Sequence, residues 1–481
     1  MRVPEINGAT RTVQRIALAA AVLLAGTSVN ACTTLRATLH GYELGPEGIA
    51  RPQHRLRQAL VAGDFVRALA WREDDALLDR LTRATSAYYA GQYLRAGALL
   101  DTAALVSDDR ITERLSRDAL ALVTNDIARP YRPRRTERLF IPYYGMLAYA
   151  RGARWEDAAV EARRLAALLA QHESDRDDGE RPLHAVLSHL AGAVLERAGR
   201  ADEAQVAYRA AHLAVEQAPE RLATLGRDEG ELLVVLERGF VAHRVTERID
   251  VYIGDDDEHR RDPRHPQRDI EPEAQPGADP RRTKNAMDVL GVGTTPPPDS
   301  GKARRRREKH HDDDADYWLA VAFPTLRRSS RQWGTSAQLR IEDAAADVVR
   351  IASVVDDAAS ADERRDRLAM LARATARAGA KYALAKAVKD KKGDAAGTLA
   401  NYGASLLERA DVRAWHLLPQ EVQLHRTRMT AGTHAVRLEV MEGGVTRTLD
   451  LGAVTVRPGT VTIAPFRVWK ASAAPATIAA R

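Results

Sequence analysis

The 481-residue chain has a single cysteine, Cys32, so no disulfide can form within it and its stability has to come from packing. Aromatic residues make up 5%, too few for a core built on large rings, while abundant alanine and arginine favour closely packed helices with long charged exteriors. Net charge is scarce as well. The 72 basic and 66 acidic residues leave +6, and so small a surplus on so long a chain excludes the clustered phosphate neutralisation of a nucleic-acid binder. After residue 31 no stretch reaches 18 uninterrupted apolar residues, which excludes a membrane-spanning helix there. Neither HExxH nor GxSxG occurs, so no reaction is legible.

What is present begins at the amino terminus. Arg2, Arg11 and Arg15 precede an apolar core at 16–26 that is too short to span a bilayer, and small residues follow, as in an export signal. Val29-Asn30-Ala31-Cys32 resembles the lipobox of bacterial lipoproteins. The resemblance implies removal of residues 1–31 as a lipoprotein signal peptide and acylation of Cys32. Buried acyl chains contribute about 0.8 kcal/mol per methylene, so several are needed for a firm hold. Thr33, where an Asp would imply the inner membrane, implies a lipid anchor on the periplasmic side of the outer membrane. The remaining chain keeps 72 minus 3 basic and 66 minus 1 acidic residues, a net +4.

A tether at 32–60 leads into a helical repeat region at 61–225. Gly91, Tyr93, Ala96, Leu100 and Ala103 are spaced like the turn and second helix of a tetratricopeptide repeat, and Gly199, Ala201, Ala204, Tyr208 and Ala211 repeat the spacing. Gly152, Trp155, Ala158, Ala162 and Leu165 form a third copy with one extra residue in the turn. Glycine ends a first helix by accepting a left-handed backbone, small alanines let paired helices approach, and stacked pairs bury the face that one pair cannot. Such stacking predicts a solenoid with a concave face open to a partner; a generic helical bundle with glycine turns is the alternative.

Asn125-Asp126, Arg129-Pro130-Tyr131, Glu137-Arg138, Tyr143-Tyr144 and Glu161-Ala162-Arg163-Arg164 resemble the core of a family of uncharacterised bacterial envelope lipoproteins with tetratricopeptide-like repeats. Gly230 to Val234 with Glu237 and Gly239, then Ala410 to Trp415 and Leu418-Pro419, extend the resemblance, as does the weaker Ala378-Gly379-Ala380 before Lys381. It spans roughly residues 75–440 apart from one insert, and the family brings no assigned reaction or ligand. Within 125–138, Asp126, Arg129, Tyr131, Arg134, Arg135, Glu137 and Arg138 form a candidate anion or partner site for a glycan, a lipid headgroup or an acidic loop. The same residues also fit a solvated loop whose carboxylates pair with its arginines.

Residues 226–410 read as an α+β region. Leu232 to Leu236 and Val245 to Ile253, joined at Arg238-Gly239, predict a hairpin. Residues 254–316, rich in Asp, Arg, Pro, Gly and His, predict a disordered insert. Its His310 to Asp314 run is a solvated charge run rather than a metal site, and its glycine motifs lack the residues a phosphate loop needs. Tyr317 to Leu326 predicts a strand that pairs with the hairpin across the insert. Ile341 to Val355, Ala361 to Val388 and Thr398 to Leu407 predict helices, with the alanine stripe Ala372, Ala376, Ala380, Ala383 and Ala387 packed internally or offered to a partner. Strands at 422–424, 435–440, 445–451 and 461–468 predict a small antiparallel β domain at 411–470, before a disordered tail at 471–481.

The expected fold is mainly α with a β-containing carboxyl-terminal part: a tetratricopeptide-like solenoid plus a small antiparallel β-sandwich. The expected function is a lipid-anchored envelope scaffold that holds a protein partner, with no cofactor and no nucleic acid. A glycan-binding protein or hydrolase using the Asn125–Arg138 segment is the rival.

Overall fold

The computed structural model describes residues 51–112, 130–220, 222, 224–253, 317–328, 337–342, 344–345, 349–392, 410–442 and 445–469. The expected signal and Cys32, most of the tether, Asp126, Arg129, the insert, the helix at 398–407 and the tail lie outside these residues. Contacts divide the chain into two units, 1–249 with 320–481, and 250–319. Of the second, only the strand ends at 250–253 and 317–319 are described.

About half of the described residues are helical. Short helices α1 (Arg51–Val61) and α2 (Phe65–Ala70) precede three helix pairs: α3 (Ala76–Tyr89) with α4 (Tyr93–Thr112), α5 (Arg135–Arg151) with α6 (Trp155–Gln171), and α7 (Arg181–Arg197) with α8 (Ala201–Ala214). Each second helix also packs on the next first helix. Asp75 starts α3 by accepting the amides of Leu77 and Leu78 at 2.8 and 3.2 Å, an N-cap that satisfies donors the helix itself leaves open.

The three inter-helix turns are the same motif. Gln92, Arg154 and Arg200 each donate their amide five residues back, to the carbonyls of Ala87, Tyr149 and Leu195, all at 2.8 Å. The residue before each is left-handed: Gly91 (φ 77°), Ala153 (φ 56°) and Gly199 (φ 77°). The middle turn therefore contains no extra residue. Its left-handed position is Ala153 and not Gly152, and the next helix begins two residues later in all three copies. Counted from these positions, Ala96/Leu100/Ala103, Ala158/Ala162/Leu165 and Ala204/Tyr208/Ala211 coincide, and all nine are buried.

Two four-stranded sheets follow. β1 (Glu229–Arg238) lies between β10 (Val461–Val468), which it pairs in parallel, and β7 (Glu421–Thr430), antiparallel, with β6 (Val349–Val354) beyond β7. The other sheet is antiparallel, in the order β5 (Ala344–Ala345), β4 (Ala337–Ile341), β8 (Gly432–Glu442), β9 (Val445–Val456). β2 (His243–Ile253) pairs with β3 (Tyr317–Arg327). The long helix α9 (Val355–Lys392) follows β6 directly.

Several expectations change here. The pairing of 317–326 with 245–253 is present, but the hairpin is not: 232–236 pairs with the last strand and with β7. The continuous apolar run Leu232 to Leu236 is a strand buried on both faces, which removes the alternation of a half-exposed hairpin. Leu233 and Val235 join the core under the helices, whereas Leu232, Val234 and Leu236 join Leu339, Val436, Leu438 and Phe466 of the neighbouring strands. Residues 349–354, read as helical, form β6; Val349, Ile351 and Val354 are β-branched and outweigh the flanking alanines. The strands after residue 420 do not form a sheet of their own, since both sheets include strands from earlier in the chain. The alanine stripe of α9 does not pack internally: Ala372, Ala376, Ala383 and Ala387 are exposed, while Leu371, Ala374 and Arg377 face inward.

Candidate functional site

The segment singled out in the sequence is described from Pro130 onward, and its side chains are engaged by the chain itself. Tyr131 is buried; its amide donates to Asp75 Oδ2 at 2.9 Å and its carbonyl accepts from Arg110 at 2.5 Å. Burial, then the nearby Glu137 charge, pushes its phenol well above the ordinary tyrosine range. Arg134 pairs with Glu363 of α9 at 2.9 Å, Arg135 with Asp175 at 2.5 Å, and Arg138 with Asp108 at 3.6 Å. Glu137 is buried, accepts the Arg134 amide at 2.8 Å and accepts the Trp415 amide at 2.9 Å. Of the seven residues proposed as an anion site, the five that are described thus act as ties between segments.

A crevice does lie beside them, lined by Arg134, Glu137, Arg244, Asp362, Val241 and Leu418 among others, with room for about one water molecule. Asp362 Oδ2 already accepts the Thr136 amide there at 2.8 Å, so a carboxylate from α9 occupies the amino-terminal end of α5. Burial raises the Asp362 carboxyl to about 6.

Charged residues that the sequence reading did not assign to a site join the helices to the first sheet. Glu237, at the end of β1, is fully buried and accepts from Tyr89 Oη at 2.8 Å and Tyr143 Oη at 3.1 Å. Arg467 of β10 lies 3.9 Å from Glu237, with its guanidinium over the rings of Trp469 at 4.4 Å and of Tyr89 and Phe240 at 5.5 Å. Burial raises the Glu237 carboxyl, and Arg467 opposes that shift. On β7, Arg426 bonds Glu231 and, at 3.1 Å, Glu196 of α7, and its guanidinium lies 4.9 Å over the Tyr208 ring. Burial, with the Arg426 charge, lowers His189 beside it to about 3. The available signal was a charge set in an apolar strand: Glu237 after Leu232 to Leu236, and Arg467 between Phe466 and Val468.

Trp415 completes the seam. Its indole nitrogen donates to Thr85 Oγ1 at 3.0 Å, and Arg57 of α1 holds the neighbouring His416 carbonyl at 2.9 Å. The first helices α3, α5 and α7 are covered on the side facing the sheet by the chain's own strands and by the 410–420 segment.

The second helices are not covered in this way. Leu94 and Leu105 on α4, Val160 on α6, and Val206 and Leu213 on α8 are 54–75% exposed. Ion pairs cross between these helices beside them: Arg164 with Asp108 at 3.0 Å, Arg200 with Glu156 at 2.9 Å, and Arg163 with Glu203 at 2.6 Å. Several charges of this outer surface are thus paired with one another beside exposed aliphatic side chains.

Among the described residues, no group of three or more His, Cys, Asp or Glu side chains is placed to hold a metal ion, and no helix is long and apolar enough to cross a membrane. Comparison with family models, with curated proteins and with solved structures returns no match.

Proposed function

We propose that this chain is a scaffold of the bacterial cell envelope, held at the outer membrane through acylated Cys32, which binds a protein partner on the outer surface of its paired helices. The observation that carries this reading is the division of the helices into two populations. First helices are buried against the chain's own strands, and second helices keep large aliphatic residues in solvent. Exposed apolar residues on adjacent elements cost solubility unless something covers them, and a polar, ion-paired rim is what a protein interface of moderate affinity carries.

The finer architecture belongs to the same proposal. Three equivalent turns and nine coincident buried positions support a short tetratricopeptide-like solenoid, and the two apolar faces of β1 support a sandwich of the two sheets. Membership in the envelope lipoprotein family rests on the resemblance at Tyr143-Tyr144, Glu231, Glu237 and Asp411 to Trp415. The rival glycan-binding or hydrolytic reading loses support from the internal pairing of Arg134, Arg135 and Arg138.

The test is photo-crosslinking in intact cells from positions 105, 160 and 206. A protein adduct is expected from each, and it is expected to disappear when Val160→Glu and Val206→Glu are combined, with thermal unfolding unchanged. Recovery of glycan and no protein would overturn the scaffold reading. Mass spectrometry of the amino terminus tests the anchor independently: Cys32→Ala has to abolish acylation.

A further inference from the structure

Two arginines from distant parts of the chain share one carboxylate oxygen. Arg134, just before α5, donates from Nη1 to Glu363 Oε2 of α9 at 2.9 Å, and Arg244 of β2 holds its Nε 3.8 Å from the same atom. The two guanidiniums feel each other: burial, then the Arg244 charge, holds Arg134 below the ordinary arginine range. Like charges kept together away from water are costly unless an anion lies between them.

Part of this cationic pair is unspent. Arg244 donates from Nη1 to the Arg413 carbonyl at 2.8 Å, but its Nε makes no hydrogen bond, although the side chain is only 9% exposed. The other acids nearby are engaged elsewhere. Both oxygens of Glu137 accept backbone amides, from Arg134 and Trp415, while Asp362 accepts the Thr136 amide and Asp411 pairs with Arg413 at 2.7 Å. Asp366 lies 3.6 Å from Arg134 and is half exposed. Arg134 and Arg244 both line the small crevice walled by Val241 and Leu418, and Glu363, which is 16% exposed, bridges them without being one of its walls.

We propose that Arg134 and Arg244 are a binding site for a carboxylate of a separate molecule, with the chain's own Glu363 as a built-in occupant that such a ligand displaces. The ligand class follows from what already fits there, a planar anion with one oxygen between two guanidiniums. Exchanging one carboxylate for another leaves neither arginine without a counter-charge, so the exchange avoids the penalty of baring a buried cation. What opposes it is tethering: Glu363 competes at the high effective concentration of an attached group and lowers the apparent affinity for any free one. The site is separate from the outer surface of the second helices and does not depend on the scaffold reading.

The test uses the full chain and two sources of the group, succinate and the capped dipeptide acetyl-Glu-Glu-amide, titrated by calorimetry at constant ionic strength. Glu363→Gln, which keeps the side-chain shape and removes the competing charge, is expected to bind at least one of them about tenfold more tightly than the parent. Adding Arg244→Gln should abolish that gain. Binding of succinate alone identifies a free acid as the ligand, and binding of the dipeptide alone an acidic segment; either supports the site. Failure of both probes to bind Glu363→Gln, or a gain that survives Arg244→Gln, would overturn the inference. If Glu363→Gln does not fold, thermal unfolding of the parent in succinate against sodium chloride of matched ionic strength decides: a raised midpoint that is lost in Arg134→Gln is expected, and an unchanged midpoint sinks the proposal. Crosslinking from positions 105, 160 and 206 is read independently, so this inference and the scaffold reading fail separately.

Discussion

Glu137 Oε1 accepts the backbone amide of Trp415, 278 residues further along the chain, at 2.9 Å. The other carboxylate oxygen accepts the amide of Arg134, and the Glu137 charge helps to hold the buried Arg244 guanidinium ionised. Removing this carboxylate strands two backbone donors and deprives Arg244 of a counter-charge. Glu137→Ala is expected to lower stability by about 2–4 kcal/mol, since an unsatisfied buried group costs about 1–3 kcal/mol. Glu137→Gln, which keeps one acceptor, should fall between. Urea unfolding with an unchanged slope is the measurement, and a loss below about 0.5 kcal/mol for the alanine variant would remove Glu137 from the seam.

The Glu237–Arg467 pair makes a different prediction because both partners are fully buried. Breaking such a pair from one side leaves an uncompensated charge and costs about 3–5 kcal/mol, whereas an apolar replacement of both partners can be nearly neutral. Glu237→Leu alone should therefore destabilise strongly, and Glu237→Leu with Arg467→Met should recover a substantial part of the loss. A double-mutant cycle measures this coupling; additive losses would show that the pair is not a unit.

Ala153 occupies the position that glycine holds in the other two turns, and a left-handed backbone costs a residue with a Cβ about 1–2 kcal/mol. Ala153→Gly is expected to raise stability by roughly 0.5–1 kcal/mol once the greater freedom of glycine in the unfolded chain is subtracted. The reverse changes, Gly91→Ala and Gly199→Ala, should each lower it. Since neither glycine has another atom within reach of an added Cβ, backbone strain alone would be read.

Glu161 sits on α6 against Gly145, and burial raises its carboxyl from 4.5 to about 7, with the Arg164 charge opposing. A carboxyl whose pKa is higher in the folded state favours folding while it is protonated. Its contribution is complete below about pH 4.5 and disappears as pH rises through about 7. At 1.36 kcal/mol per unit, the parent should lose roughly 2–3 kcal/mol more than Glu161→Gln between pH 5 and pH 8. Comparing the two proteins cancels Asp362, which is raised to about 6 and has the same sign. Parallel pH profiles would show that Glu161 does not titrate in this window.

The repeat spacing was legible because helix pairing imposes a local rule: a left-handed residue, then small or filling residues five, nine and twelve positions later. The middle copy was misaligned by one because sequence favours glycine at the left-handed position, and here alanine is held in it by the packing of α5 on α6. The carboxyl-terminal strands were legible from alternation, and the long helix from its alanine content. The partners of β1 were not legible, because a run of five apolar residues reads the same whether its neighbour is eight or more than two hundred residues away.

The candidate site divides in the same way. Composition and motif placed arginines and a tyrosine at 129–138, and nothing local could say whether they face a ligand or the chain itself. Tertiary structure decided it: Glu363, Asp175 and Asp108 meet Arg134, Arg135 and Arg138, and Trp415 closes on Glu137. What sequence determined by itself was everything governed by short-range geometry or by counting, including the helix pairs and the single cysteine. What only the fold decided was which face each element turns inward. That choice depends on matching surfaces brought together from hundreds of residues apart, and it turned the first helices onto the chain's own strands while leaving aliphatic residues of the second helices outward.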